Sequence, residues 1–290
     1  MPELLTPRRT AGERAAIARL RPPKCLPPNP TRYEDTMTQA LSKLNFRDLG
    51  GLRTADGGIV RPGIIYRSEG PASFGPVHHE ELAALNIKLV CDLRSEGERE
   101  KDPNGWAASA RLLNLDVTAD LRVKTNNGWE ALREDQSSET IRSALVGNYA
   151  AIPAALRPHL KHLVESIVNG ETPMLVHCTA GKDRTGVMVA LLLSAIGVPD
   201  DVVIADYERS DVFAKNMRLR GGIEEQFMEA FGFIPTQDLI DAMIGVDVAF
   251  LEAAFEMIKS EYGDLDSYFA AAGVDTTLLA RFRETMVSDG

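Results

Sequence analysis

The sequence predicts an α/β fold: a central, mostly parallel sheet with helices on both faces and a helical C-terminal layer. Three observations carry that expectation. Short apolar runs of strand length punctuate the first part of the chain, helical periodicity fills the spaces between them, and the stretch after Pro199 reads as helical throughout.

The elements follow in chain order. Pro22, Pro23, Pro27, Pro28 and Pro30 crowd one short stretch and forbid both helix and central strand there. Residues 1–40 are therefore expected to be a flexible N-terminal extension, and residues 41–290 a single domain. From Asn45 the texture changes: Gly50-Gly51 and Asp56-Gly57-Gly58 mark turns, and Gly63 to Ser68 reads as a short strand leaving a Pro-Gly turn. Pro76 to Asn86 suits a helix with Leu82 and Leu85 on one face. Ile87 to Leu93 is a buried strand by its apolar run, and Arg111 to Val117 is another candidate. The polar region Leu121 to Glu139, with Asn126-Asn127-Gly128, is expected to be a mobile loop. Two helices are expected next, Ser138 to Ala151 and Pro153 to Val168, the second stopped by Asn169-Gly170. Pro173 to His177 is a short buried strand. Thr185 to Ile196 is apolar nearly all round, as a central buried helix should be, and Gly197-Val198-Pro199 ends it. Beyond it, Val248, Leu251, Phe255 and Ile258 mark one face of a long helix.

Composition narrows the classes. The 290 residues are 44% hydrophobic and 26% charged, ordinary for a globular protein with a sizeable core. A formal net charge of -10 disfavours a nucleic-acid partner, because the surface repels a phosphate backbone. It leaves room for a small anionic substrate held by a local nest of N–H groups. The 3 cysteines, Cys25, Cys91 and Cys178, are too scattered for a disulfide framework. A reducing, cytoplasmic setting is expected, with no apolar leader at the start and no run near the roughly 18 apolar residues of a membrane span. The sequence says nothing about oligomeric state.

One segment carries chemistry. Val176-His177-Cys178-Thr179-Ala180-Gly181-Lys182-Asp183-Arg184-Thr185-Gly186 fits a strand–loop–helix. The spacing from Cys178 to Arg184 lets the backbone curl so that successive N–H groups point inward, opening onto a helix N-terminus. A phosphate held there gains those N–H bonds, the helix dipole and a bidentate guanidinium. The same field favours a thiolate, so Cys178 is expected to be a nucleophile without a neighbouring base.

The loop resembles the signature of the cysteine-based protein tyrosine phosphatase superfamily. Its form, His-Cys-x-Ala-Gly-Lys-Asp-Arg-Thr-Gly, is similar to that of the bacterial tyrosine/serine phosphatases of broad specificity. Asn45 to Gly51, Arg61-Pro62-Gly63, Tyr66-Arg67-Ser68-Glu69, Asp92 to Ser95, Asp206 to Ser210 and Tyr262 to Leu265 look like further blocks of that family. The resemblance implies a phosphatase-like fold, with helices from about Pro199 forming a lid or wall over the pocket. It implies that Cys178 attacks phosphorus, giving a cysteinyl-phosphate that water then hydrolyses, and that Arg184 stabilises the transition state. The backbone from Thr179 through Ala180, Gly181, Lys182 and Asp183 to Arg184 completes the phosphate cradle. Thr185 is expected to donate its hydroxyl to the sulfur, and His177 to hold the loop through a buried hydrogen bond. Asp183 is implied as the general acid, with Asp116 and Asp120 as rivals and Asp135 in the polar region. Lys182 suits a second phosphate or an acidic lipid headgroup, although phosphoinositide phosphatases often carry another lysine where this chain has Thr179.

The expected activity is therefore phosphomonoester hydrolysis on phosphotyrosine and on phosphoserine or phosphothreonine in proteins. A phosphoinositide phosphatase of the same mechanism is the alternative, and a silent phosphate-binding module the remote one. No cofactor or metal is expected: His159, His162 and Glu165 read as a solvated helix face, and His78-His79-Glu80-Glu81 lacks zinc-protease spacing. A nucleotide-binding reading fails because Val176 stands where a glycine is needed and Asp183 where Ser or Thr is needed. Arg67, Asp92 and Arg94 flank strand ends and can orient the loop or pair internally. Cys91 reads as core packing, with a Cys91–Cys178 disulfide the less favoured reading.

Overall fold

The computed structural model describes residues 40–120 and 127–290. The expected N-terminal extension lies outside these residues, apart from its last one. The strands are β1 (Arg47–Asp48), β2 (Ile59–Val60), β3 (Ile65–Ser68), β4 (Leu89–Asp92), β5 (Arg111–Asn114), β6 (Met174–His177) and β7 (Val287–Ser288). The α-helices are α1 (Pro76–Ala84), α2 (Glu96–Lys101), α3 (Asn127–Glu134), α4 (Ser138–Val168), α5 (Asp183–Ala195), α6 (Asp200–Glu208), α7 (Val212–Arg220), α8 (Ile223–Phe231), α9 (Gln237–Ile244), α10 (Val248–Tyr262), α11 (Leu265–Ala271) and α12 (Thr276–Met286).

The main sheet runs β1-β3-β6-β4-β5. Its four longer strands are parallel, and only the edge strand β1 is antiparallel. Strand alternation divides the core. Ile65, Leu89, Cys91, Met174 and Val176 face the large cluster built with α4, α5 and the C-terminal helices. Tyr66, Val90 and Leu175, the residues between them, face a smaller cluster with Leu82 of α1. Both faces are thus covered, as a parallel sheet requires.

Three expectations are corrected. Residues 127–134 are helical rather than loop, because Leu132 is fully buried and Trp129 reaches the backbone of Phe231 through Nε1 at 3.1 Å. The two expected helices flanking Pro153 are one, α4. Each internal proline removes a ladder bond and costs about 3 kcal/mol or more. However, the buried stripe Ile141, Leu145, Tyr149, Ile152, Leu156, Leu160, Leu163, Ile167 runs through both without a break in phase, and its packing outweighs the loss. The C-terminus, read as helical, ends in β7, which pairs with β2 in a small antiparallel ribbon.

Candidate functional site

Register brings the site residues to one edge. His177 at the end of β6 lies opposite Ser68 of β3 and Asp92 of β4, so Cys178 emerges at the carboxyl edge of three parallel strands. Ligands of open α/β sheets bind at that edge. The chain then turns through Thr179–Lys182 and enters α5 at Asp183, so the loop closes on a helix N-terminus as its sequence requires.

The loop is held from outside by its carbonyls. Cys178 O meets His177 Nδ1 at 3.0 Å, Thr179 O accepts from the Gly70 amide at 2.9 Å, and Gly181 O accepts from Arg67 at 2.8 Å and Asn45 at 3.0 Å. In a trans peptide the N–H points opposite to the C=O before it. The amides of Thr179, Ala180 and Lys182 therefore turn to the other side, an arrangement that can bind an anion. Two glycines make this possible. Gly181 sits at φ 64°, and a Cβ there would lie 2.1 Å from Ser68 O; a Cβ on Gly70 would lie 2.6 Å from Cys178 O.

Cys178 is almost fully buried at the loop's start. Arg184 spans the cradle, with Nη1 2.7 Å and Nη2 2.8 Å from the two carboxylate oxygens of Glu98. Its Nη2 also lies 3.2 Å from Asp120 Oδ2. Burial works against its charge, but Glu98, Asp120 and Cys178 outweigh burial and hold Arg184 protonated well above the ordinary range. Glu98 also accepts the Thr179 hydroxyl.

Behind the loop lies a second ionic layer. Arg47 and Arg67 grip Asp206 of α6 at 2.6 and 2.7 Å, and all three are buried. Burial opposes the Asp206 charge, but the two guanidinium groups overcome it and hold the carboxyl below its usual range. Burial also lowers Arg67, to about 10. The Asp92–Arg94 pair, 2.7 Å apart, sits beside His177 and is tied to Asn104 at 2.8 Å. Burial lowers the His177 imidazole, and its Nδ1 serves the loop carbonyl.

Other predicted residues fall in different places. Asp183 lines the cavity, and its Oδ1 accepts from Tyr149 Oη at 2.5 Å. Asp120 also lines the cavity, whereas Asp116 pairs with Arg99 at 2.7 Å away from it, and Asp135 accepts from Ser137, the residue that caps α4. The Lys182 cation does not face the cradle: Nζ is buried and donates to Met243 O at 2.7 Å and Gly245 O at 2.6 Å, at the end of α9. Thr185 Oγ1, expected to donate to the sulfur, is buried and has no hydrogen-bond partner among the described residues. Cys91 is a free buried thiol that burial pushes well up. Glu165 is 3.9 Å from Lys161 on α4.

Residue-type reading missed Glu98, Asn45 and Tyr149. Asn45 stood in the block Asn45 to Gly51 without a role, and Glu98 left a signal of its own: Ser95 and Glu98 form a capping box at α2, immediately after the Asp92-Leu93-Arg94 strand end.

Above the loop is a cavity of about 280 Å³, walled mainly by apolar side chains including Leu145, Phe213, Met217, Phe227, Phe231 and Ile244, with Arg220 among its polar lining. The site thus joins a loop of inward-turned amides, a thiol, a carboxyl and an apolar chamber. Among the described residues, no helix is long and apolar enough to cross a membrane.

Comparisons with known proteins converge on this chemistry. Residues 39–288 match the tyrosine phosphatase family. The chain is 29% identical over 272 residues to the triple specificity protein phosphatase PtpB of Mycobacterium tuberculosis, covering 84% of this chain and 96% of that one. It is 31% identical over 242 residues to a candidate tyrosine-protein phosphatase of Cupriavidus necator, covering 79% of this chain and 81% of the other. A tyrosine-protein phosphatase of Nostoc commune is 31% identical over 129 residues, covering 44% of this chain and 42% of that one. The chain belongs to the tyrosine phosphatase family, and is a bacterial-type, cysteine-based protein tyrosine phosphatase.

Proposed function

We propose that this phosphatase hydrolyses phosphotyrosine in proteins, and phosphoserine or phosphothreonine more slowly, through a cysteinyl-phosphate on Cys178. The observation that carries the reading is the Cys178–Arg184 cradle at the base of a small, apolar-walled cavity. Its volume of about 280 Å³ is near the lower bound of ligand pockets, roughly 300 Å³, which suits one phosphorylated side chain. The aromatic and aliphatic walls offer a tyrosine ring the contacts that a serine side chain is too short to use.

The Cys178 sulfur attacks phosphorus as the thiolate, the bond to the leaving oxygen breaks, and Asp183 gives that oxygen its proton. Water then attacks phosphorus, its proton passes to Asp183, and the sulfur–phosphorus bond breaks to release phosphate. Arg184 and the amides from Thr179 onward neutralise the equatorial oxygens in both steps. Asp183 and Asp120 both line the cavity, and Asp183 is preferred because Asp120 pairs with Arg184, the guanidinium that takes the phosphoryl oxygens, whereas the cation against Asp183 is Lys182, at 3.2 Å. The phosphoinositide reading relied on the Lys182 cation. That cation is committed to Met243 and Gly245, so among the described residues a second phosphate finds no lysine in the cradle.

A substrate panel tests this. Phosphotyrosine peptides are expected to be cleaved fastest, phosphoserine peptides more slowly, and phosphoinositides least. Cys178→Ser is expected to lose activity on all of them. Full activity in that variant would refute the mechanism, and a lipid-first profile would refute the substrate assignment.

A further inference from the structure

Behind Asp183 lies a buried pair of phenols. Tyr149 of α4 is fully buried and Tyr207 of α6 is 1% exposed. Tyr149 Oη donates to Asp183 Oδ1 at 2.5 Å, and the two phenol oxygens are 2.8 Å apart. Burial first, then the neighbouring Asp183 carboxylate, pushes both phenols well above their ordinary value, so both keep their protons. The direction of the chain follows: the single hydroxyl hydrogen of Tyr149 is donated to Asp183, so Tyr149 accepts a hydrogen bond from Tyr207.

Lys182 Nζ lies 3.2 Å from the same Oδ1. Its hydrogens are directed to Met243 O and Gly245 O, which hold the ammonium charge against that carboxylate oxygen. A hydroxyl donor and a cation thus meet at Oδ1, and a proton placed there would be forced against both. Among the described residues, both partners of the Asp183 carboxyl meet Oδ1 and none meets Oδ2.

We propose that Tyr149, backed by Tyr207, is a positioning residue that confines the transferable proton of Asp183 to Oδ2. This rests on Asp183 being the general acid. In the first step the sulfur–phosphorus bond forms, the phosphorus–oxygen bond breaks, and the Oδ2 proton moves to the leaving oxygen. Tyr149 keeps its own proton and its bond to the carboxylate left behind. In the second step water attacks phosphorus, the sulfur–phosphorus bond breaks, and the proton from water returns to Oδ2.

The test compares phenyl phosphate, whose leaving oxygen needs the proton, with p-nitrophenyl phosphate, whose leaving anion is stable without it. For Tyr149→Phe, kcat/KM is expected to fall about tenfold on phenyl phosphate and less than about twofold on p-nitrophenyl phosphate. Tyr207→Phe should shift the same ratio in the same direction by about two- to threefold, since it acts through Tyr149. Asp183→Asn should show a larger selective loss, and adding Tyr149→Phe to it should cost no further selectivity. An equal loss on both substrates in Tyr149→Phe, or none, would overturn the proposal while Asp183→Asn remains selective. An unselective Asp183→Asn would instead remove the acid assignment. Should Tyr149→Phe not fold, the Tyr207→Phe ratio decides: a selective loss supports the proposal and an unchanged ratio overturns it.

Discussion

At Arg184 the guanidinium meets carboxylates on two sides, Glu98 through both oxygens and Asp120 through one. Glu98 is itself fixed, since its Oε2 accepts the Ser95 amide at 2.9 Å in the capping box of α2. It therefore holds Arg184 flat across the cradle before substrate arrives, which a flexible arginine cannot do unaided. Glu98→Gln keeps the size and loses one of the two charge-assisted bonds. Its kcat/KM on a phosphotyrosine peptide is expected to fall about 10–100-fold, measured by initial rates, with the melting temperature little changed. An unchanged rate would mean that Arg184 is aligned by the loop alone. Cys178 and Arg184 were legible in the sequence because their spacing is local and chemically constrained. Glu98 and Tyr149 were not, because each comes from a distant segment and no spacing rule links it to the loop. Lys182 was legible as a cation but not in its direction: the carbonyls that attract it, Met243 and Gly245, are backbone groups, which carry no sequence signal.

Among the elements, the strand ends do the positioning. Asn45 and Arg67 of β3 donate to Gly181 O on the outer side of the loop, and Ser210 after α6 accepts from Arg67. This explains why the chain carries Asn45 to Gly51, Tyr66 to Glu69 and Asp206 to Ser210 as recognisable blocks far apart in sequence. Asp206 links α6 to β1 and β3 with its charge buried between two arginines. Removing one partner strands the others, so Asp206→Asn should destabilise the fold by about 3–5 kcal/mol at neutral pH, read from urea unfolding. The sign with pH follows from a carboxyl held below its unfolded value of 3.8. Its contribution is complete above that pH and declines as pH falls through the folded value, where the carboxyl takes up its proton. Wild type should therefore lose stability more steeply in acid than Asp206→Asn, and parallel curves would contradict the pairing. The strands and α5 were legible from apolar runs. The continuity of α4 was not, because proline is a strong local breaker and only tertiary burial overrides it. Helix α3 was hidden by its polar composition, its two anchoring residues being Trp129 and Leu132.

Across the whole molecule, an acidic chain of net charge -10 carries the loop proposed to bind a phosphate dianion. The sheet edge, the α5 N-terminus and Arg184 set a local field that the global charge does not cancel, because it acts at hydrogen-bond distance inside a partly desolvated cavity. The C-terminal helices supply most of the apolar wall, with Phe213 and Met217 from α7, Phe227 and Phe231 from α8, and Ile244 from α9. The α/β class and the helical C-terminal layer could be read from periodicity. The cavity between them could not, since its walls come from separate helices whose packing no single segment encodes. The central claim is that Cys178 carries the phosphoryl group between the two steps. Rapid denaturing quench of the enzyme turning over p-nitrophenyl phosphate, followed by peptide mass spectrometry, tests it most directly. One added phosphoryl group on the peptide containing Cys178, absent in Cys178→Ser, is the predicted result. Turnover with no label on Cys178, or with the label on another residue, would contradict the account.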